Sequence, residues 1–282
     1  MKRFITILAG LLALLCLAGC QGGEEGAGQF RSVALSPEVA EIIAALGGTD
    51  QLVGVTQECD FPPELGQIRK VGNFGAVNKE AILALRPDLV FTSGLEQESL
   101  GSDLEKMGLR VKKIYPQKLD DLPQVVLEIG ALINRKREAA ALADSLRSGI
   151  AAMREKTKGS TPPRVYLEIY RDPLMSVSDA SFVGELIETA GGDNIFSSLE
   201  RDYARVNAED IVQARPEIII CFSHDSLDSI LSRKGWQDLP AIQNRRVYFG
   251  DDIDPDLIQR ASPRVLQGME RLHQLFFPQA AE

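Results

Sequence analysis

Two stretches of this chain occur twice, in the same order, and this constrains the fold more than any other feature. Glu41-Ile42-Ile43 leads to Gly47-Gly48, and Glu185-Leu186-Ile187 leads to Gly191-Gly192, 144 residues further on. Asn78-Lys79-Glu80-Ala81-Ile82 runs to Arg86-Pro87-Asp88-Leu89-Val90, and Asn207-Ala208-Glu209-Asp210-Ile211 runs to Arg215-Pro216-Glu217-Ile218-Ile219, 129 residues on. Ordinary α/β construction produces one such echo by chance. Two in order, with matched helix starts and matched Arg-Pro stops, predict two similar lobes. The first lobe carries 15 more residues between its echoes, a region that includes Cys59-Asp60-Phe61-Pro62-Pro63.

Short β-branched runs alternate with helical patterns, which predicts α/β layers built on mainly parallel sheets. The predicted strands are 32–35, 52–55, 89–92, 111–114, 165–170, 218–222 and 247–249; helix signals include 37–46, 79–85 and 182–190. Both Gly-Gly pairs follow helices, where glycine ends a helix by taking positive φ. Between the lobes lies one helical stretch, roughly 123–158, with Ala139, Leu142, Leu146, Ile150 and Met153 on one apolar stripe. A single rigid helix of this kind predicts lobes that open and close only slightly. The expected organisation is a signal at 1–19, a tether at 20–30, an N-terminal lobe at 31–118, a connecting helical region at 119–160 and a C-terminal lobe at 161–282, with a ligand cleft between the lobes.

The N-terminus is a targeting segment. Lys2 and Arg3 precede an apolar run, residues 4–17, too short for the ~20 residues of a membrane-spanning helix. It ends in Leu17-Ala18-Gly19-Cys20, which resembles the bacterial lipobox and implies cleavage before Cys20 and lipid on that cysteine. A secretory signal cut at an ordinary small-residue site is the alternative. Residues 21–29 are rich in Gly and Glu and lack an apolar pattern, as a tether should.

Formal net charge is −9, from 31 basic and 40 acidic residues. Loss of residues 1–19 leaves 29 basic against 40 acidic residues, a formal −11. A nucleic-acid partner is not expected, because phosphate contacts need a basic face. With two histidines and four cysteines, a zinc site of three or four His/Cys ligands is not expected either. Cys59 and Cys221 would be the remaining thiols outside the cytoplasm, where a disulfide is chemically open to them.

The chain has no glycine-rich dinucleotide fingerprint and no Walker loop. Ser223-His224-Asp225 holds the residue types of a hydrolase triad, but consecutively, whereas triad members converge from separate segments. The triplet follows a predicted strand, at the end where α/β sheets bind ligands, so His224 is a candidate ligand contact. His273 falls in a terminal helix and reads as structural. Glu80 and Glu209 sit in first helical turns, where an acid complements the helix dipole by ~0.3–1 kcal/mol. Their recurrence in both lobes also suits a shared surface role. Phe61, Phe74, Tyr170 and Tyr203 fall in predicted strand-end loops, and could wall an apolar cleft or sit in the core.

These residues resemble a known family: the solute-binding proteins of ABC importers for vitamin B12, iron-siderophores and haem, the class whose two lobes are joined by a helix. The resemblance spans residues 31–278. It rests on Leu35-Ser36-Pro37, Asp60-Phe61-Pro62-Pro63, the Asn78 to Val90 stretch, Ala190-Gly191-Gly192-Asp193-Asn194-Ile195-Phe196 and Arg260-Ala261-Ser262-Pro263-Arg264. It implies a binding protein rather than an enzyme, working with an ABC permease and its ATPase, held at the membrane by lipid on Cys20, monomeric and without a resident cofactor. Glu80 and Glu209 match the glutamates that dock onto permease arginines. The closest likeness is to the cobalamin binders, which implies a cobalt corrinoid as ligand, with an iron complex as the alternative. Asp60, Phe61 and Phe74 match pocket positions of the first lobe; Met175, Tyr203, Asp256 and Leu257 match those of the second. Phe74, Tyr203 and Leu257 stand where the cobalamin binder carries tryptophan, and Met175 where it carries phenylalanine. Cys59 would lie near the cleft, within reach of cobalt. The family layout puts Cys59 and Cys221 in different lobes, which favours separate thiols. For haem, Tyr170, Tyr203 or His224 would ligate iron; for an acidic siderophore, Arg171, Arg201, Arg205 or Arg260 would face it. A rival of another class is an extracytoplasmic hydrolase using Ser223 or His224.

Overall fold

The computed structural model describes residues 29–94, 97–223 and 225–278. The first lobe begins with β1 (Ser32–Ala34) and β2 (Leu52–Val55), continues through a short hairpin of β3 (Gly72–Asn73) and β4 (Ala76–Val77), and ends with β5 (Leu89–Thr92) and β6 (Val111–Lys113). Its parallel sheet has the order β2-β1-β5-β6. The second lobe contains β7 (Arg164–Glu168), β8 (Tyr170–Arg171), β9 (Leu174–Val177), β10 (Asp193–Asn194), β11 (Tyr203–Arg205), β12 (Ile218–Cys221) and β13 (Val247–Phe249). Its parallel sheet has the order β10-β7-β12-β13. In both sheets the second parallel strand along the chain lies at the edge beside the first, then come the third and fourth. The sequence echoes are the visible part of this repeated topology.

The third parallel strand of each lobe is buried along its whole length, β5 as Leu-Val-Phe-Thr and β12 as Ile-Ile-Ile-Cys. Continuous apolar runs of this kind belong to parallel strands covered on both faces. The first-lobe core gathers Val33, Leu35, Val71, Ile82, Val90 and Leu104. The second gathers Tyr166, Ile211, Ile219, Ile230 and Trp236. Trp236 is fully buried, edge-on to Tyr166 at 5.9 Å.

Both Gly-Gly stops act as predicted, with Gly47 at φ 70 and Gly191 at φ 95. The Arg-Pro stops extend the repeat, since Arg86 and Arg215 take left-handed φ of 45 and 50. The helix starts diverge. The Asn78 side chain accepts from the Ala81 amide at 2.8 Å and caps its helix. Asn207 does not cap; its amide donates to Asp210 at 3.1 Å instead.

Two expectations are corrected. The stretch 123–158 is not one helix but two, Leu122–Leu132 and Lys136–Thr157. Asn134 breaks it at φ 58, and asparagine tolerates that conformation without a Gly or Pro to announce it. The two helices then pack on each other so closely that a Cβ at Gly130 would lie 2.3 Å from that of Ala139. Further along, Gly149 packs on Leu266, Arg154 pairs with Glu185 at 3.1 Å and Lys156 with Glu270 at 2.9 Å. The second correction concerns the strand predicted over 165–170. It is two: β7 ends at Glu168, and Tyr170 begins an antiparallel sheet of order β11-β9-β8. Among the described residues no helix is long and apolar enough to cross a membrane. The signal segment and Cys20 lie outside the described residues, as does His224.

Candidate functional site

In the order β2-β1-β5-β6 the strand succession switches from one side of β1 to the other, between β1 and β5, and ligands of α/β sheets bind beyond the carboxyl ends of strands at such a point. Here those ends deliver Glu38 and Ser93, which wall a cavity of about 400 Å³. Tyr115 and Gln117, which follow β6, and Asp202, Tyr203, Asp256 and Arg260 from the second lobe also line it.

Backbone bonds position these side chains. Gln97 donates to the Leu35 and Phe74 carbonyls at 2.8 and 3.2 Å and accepts from the Ser93 amide at 2.8 Å, tying the Phe74 loop to the ends of β1 and β5. Glu58 accepts from the Phe74 amide at 2.9 Å and lines the same cavity. Ser93 donates its hydroxyl to Glu38 at 2.7 Å, yet burial pushes the Glu38 carboxyl above its ordinary range. Tyr115 donates to Asp202 at 3.3 Å. Burial, with the Asp254 and Asp60 carboxylates, likewise raises Asp256 against the pull of Arg260.

Arg260 is the arginine of the cavity wall and is already bonded. It reaches Glu41 at 3.0 Å, Asp60 at 2.9 Å and Asp256 at 2.7 Å. Arg264 joins Glu41 at 2.8 Å and stacks on the Phe61 ring at 4.0 Å. Second-lobe arginines thus close on first-lobe acids at the base of the cleft.

Of the residues singled out in the sequence, Phe74, Tyr203, Asp256 and Arg260 line the main cavity. Asp60 holds Arg260 from outside it. Phe61 borders a separate depression of about 130 Å³ beside Ala44, Ala45 and Pro263. Leu257 lies where its carbonyl would meet a Cβ at Gly268 at 2.2 Å, and does not line the cavity. Met175 shares with Tyr203 a second cavity of about 640 Å³. Tyr170 is 56% exposed on β8. Glu80 and Glu209 are exposed in the first turns of Lys79–Ala84 and Ala208–Ala214, without an ion pair among the described residues. Sequence reasoning missed Glu38, Glu58, Tyr115 and Asp202. Only Glu38 carried a signal, its place just after the strand-ending Ser36-Pro37.

The sequence left open a cobalt contact for Cys59, and the structure removes it. Cys59 is fully buried, 3.4 Å from the Thr56 hydroxyl, and burial raises its thiol away from ionisation. Cys59 and Cys221 are both free. The hydrolase reading also fails among the described residues. Ser223 donates to the fully buried Glu168 at 2.6 Å, and Glu168 in turn takes Arg233 at 2.5 and 2.8 Å. Asp225 pairs with Arg233 and Arg171, so neither side chain activates the other.

The segment between the lobes is fastened to the second lobe beside an acidic pair. Lys118 donates to the Asp179 carbonyl at 2.6 Å and the Leu119 amide to Glu185 at 2.8 Å. Alongside, burial and then Asp179 push Glu188 up from 4.5 to about 7. A carboxyl raised in the folded state holds a proton that the unfolded chain has released, so stability falls as pH rises from about 4.5 through 7. Glu188→Gln should flatten this fall. In thermal melts, its Tm advantage over wild type should grow between about pH 5 and about pH 8; a constant difference would refute the assignment.

Two lobes of like parallel topology thus wall a shared ligand-sized cavity. Residues 33–253 match the periplasmic binding protein family, and the chain belongs to it. It is 25% identical over 241 residues to the vitamin B12-binding protein of Vibrio parahaemolyticus, covering 85% of this chain and 86% of that one. It is 27% identical over 254 residues to an uncharacterized ABC transporter substrate-binding lipoprotein, YvrC, of Bacillus subtilis, covering 87% and 79%. The crystal structure of the periplasmic vitamin B12 binding protein BtuF of Vibrio cholerae superposes with a TM-score of 0.76 at 25% identity, covering 87% of this chain and 96% of that one. The protein is therefore an extracytoplasmic transport component, not an enzyme, and serves an ABC importer with its permease and ATPase.

Proposed function

We propose that this protein captures cobalamin or a related corrinoid in the cleft and delivers it to the permease. The observation that carries the reading is the chemistry of the cavity wall. Phe74, Tyr115 and Tyr203 give aromatic surface, Glu38, Glu58, Asp202 and Asp256 give acceptors, and the one arginine is bonded to three carboxylates. A corrinoid rim is studded with primary amides, which donate to carboxylates. Haem and acidic siderophores bring carboxylates of their own, which such a wall repels. The B12-binding relatives support the same choice. Met175, Tyr170, Phe61, Asp60 and Leu257 belong to the wider binding region in this reading, Cys20 carries the lipid anchor, Glu80 and Glu209 dock on the permease, and the protein acts as a monomer.

Titration of the purified protein with cyanocobalamin, haemin and a ferric siderophore, followed by absorbance, tests the ligand. Cyanocobalamin should bind with a Kd of about 1 μM or tighter, and the others far more weakly. No cobalamin binding at micromolar protein would sink the proposal.

A further inference from the structure

The main cavity and the second cavity of about 640 Å³ share one wall residue, Tyr203, and their charges are opposite. The first carries the carboxyl groups of Glu38, Glu58, Asp202 and Asp256 against the single guanidinium of Arg260. The second is lined by Arg201 and Arg205 with Glu200, against the apolar Met175 and Leu199. The strand register explains the grouping. Arg205 on β11 and Tyr170 on β8 both pair with Met175 on the intervening β9. Directly paired residues of antiparallel strands project to the same face. Tyr203, two residues from Arg205, projects there as well. One face of this small sheet therefore presents Tyr170, Met175, Tyr203 and Arg205 together. Arg201 and Arg205 are exposed and make no ion pair among the described residues, while Arg154, Arg233, Arg260 and Arg264 are all bonded to acids.

We infer that Arg201 and Arg205 form an anion subsite for the single phosphodiester in the nucleotide tail of a complete corrinoid, whose amide-bearing ring occupies the acid-lined cavity across Tyr203. This rests on the corrinoid reading and goes beyond it: the protein tells complete corrinoids from those lacking the tail. A guanidinium fork suits a phosphodiester in geometry and in charge, and charge-assisted bonds of this kind are the strong ones.

The test compares cyanocobalamin with dicyanocobinamide, which lacks the nucleotide tail, on wild type and on the double variant R201Q/R205Q. Wild type should bind cyanocobalamin about tenfold or more tightly than the cobinamide. The double variant should lose that preference while binding the cobinamide as wild type does, which also certifies its fold. The salt dependence of cyanocobalamin binding should flatten in the variant. If wild type binds both corrinoids and the variant keeps the preference, the subsite is refuted and the corrinoid reading stands. If wild type binds neither, the corrinoid reading fails and takes the subsite with it.

Discussion

Import of ligand into cells should fall to background when Glu80 and Glu209 are both replaced by arginine, while the affinity of the purified protein for ligand stays within about twofold of wild type. Each glutamate is exposed in a first helical turn that matches its counterpart in topology, and neither is occupied by a partner among the described residues. Reversing both charges turns two attractive contacts into repulsive ones, and like-charge juxtaposition at an interface costs several kcal/mol. The bland role of these residues predicts something different. An acid complementing a helix dipole contributes ~0.3–1 kcal/mol, so the variants would be slightly less stable and would still import. Uptake in a strain lacking its own binding protein, paired with a binding titration, separates the two. Import at wild-type rate by the double variant would end the docking proposal.

The second large effect is on stability. Glu41→Ala should destabilise the fold by about 3 kcal/mol, lowering Tm by on the order of 10 °C. Glu41 is 3% exposed and takes Arg260 at 3.0 Å and Arg264 at 2.8 and 2.9 Å. Its removal leaves two guanidinium groups, themselves largely buried, facing each other across the vacated site. Asp60, Asp254 and Asp256 retain part of the pairing, which holds the cost toward the lower end of what breaking a buried pair exacts. Glu41→Gln, which keeps the acceptor but not the charge, should fall between. A thermal or urea melt decides it; a Glu41→Ala protein as stable as wild type would show that the network contributes geometry and no stability.

The repeated topology was legible because each helix stop and strand start in it is a local matter. Gly47 and Gly191, and the buried runs of β5 and β12, announce themselves within a few residues. The break at Asn134 was not legible, because an apolar stripe reads straight through a turn made by one left-handed asparagine. Nor was the β11-β9-β8 sheet, whose pairings join segments that carry little alternation of their own. The site divides in the same way. Phe74 and Tyr203 were reached as aromatics of strand-end loops, and Asp256 through family likeness alone. Glu58 and Asp202 were not reached, since an acid in a loop looks like any solvated acid until the tertiary fold turns it inward, and Glu38, in the first turn of its helix, reads as an ordinary partner of the helix dipole. Arg260 was visible as a cation free to meet an anionic ligand; only the structure shows Glu41, Asp60 and Asp256 already around it.

The lone indole has an experimental consequence. Trp236 is the chain's single tryptophan, sealed in the second lobe's core with the Arg233 guanidinium 4.4 Å from its ring centroid. Tryptophan fluorescence of this protein, excited beyond the absorption of tyrosine, is therefore a witness to one half of the molecule. Emission records the integrity of the second lobe and is blind to the first, whereas far-ultraviolet dichroism sees both. A disagreement between the two signals would mean that the halves come apart separately, and a single fluorescence midpoint should never be taken as the stability of the whole.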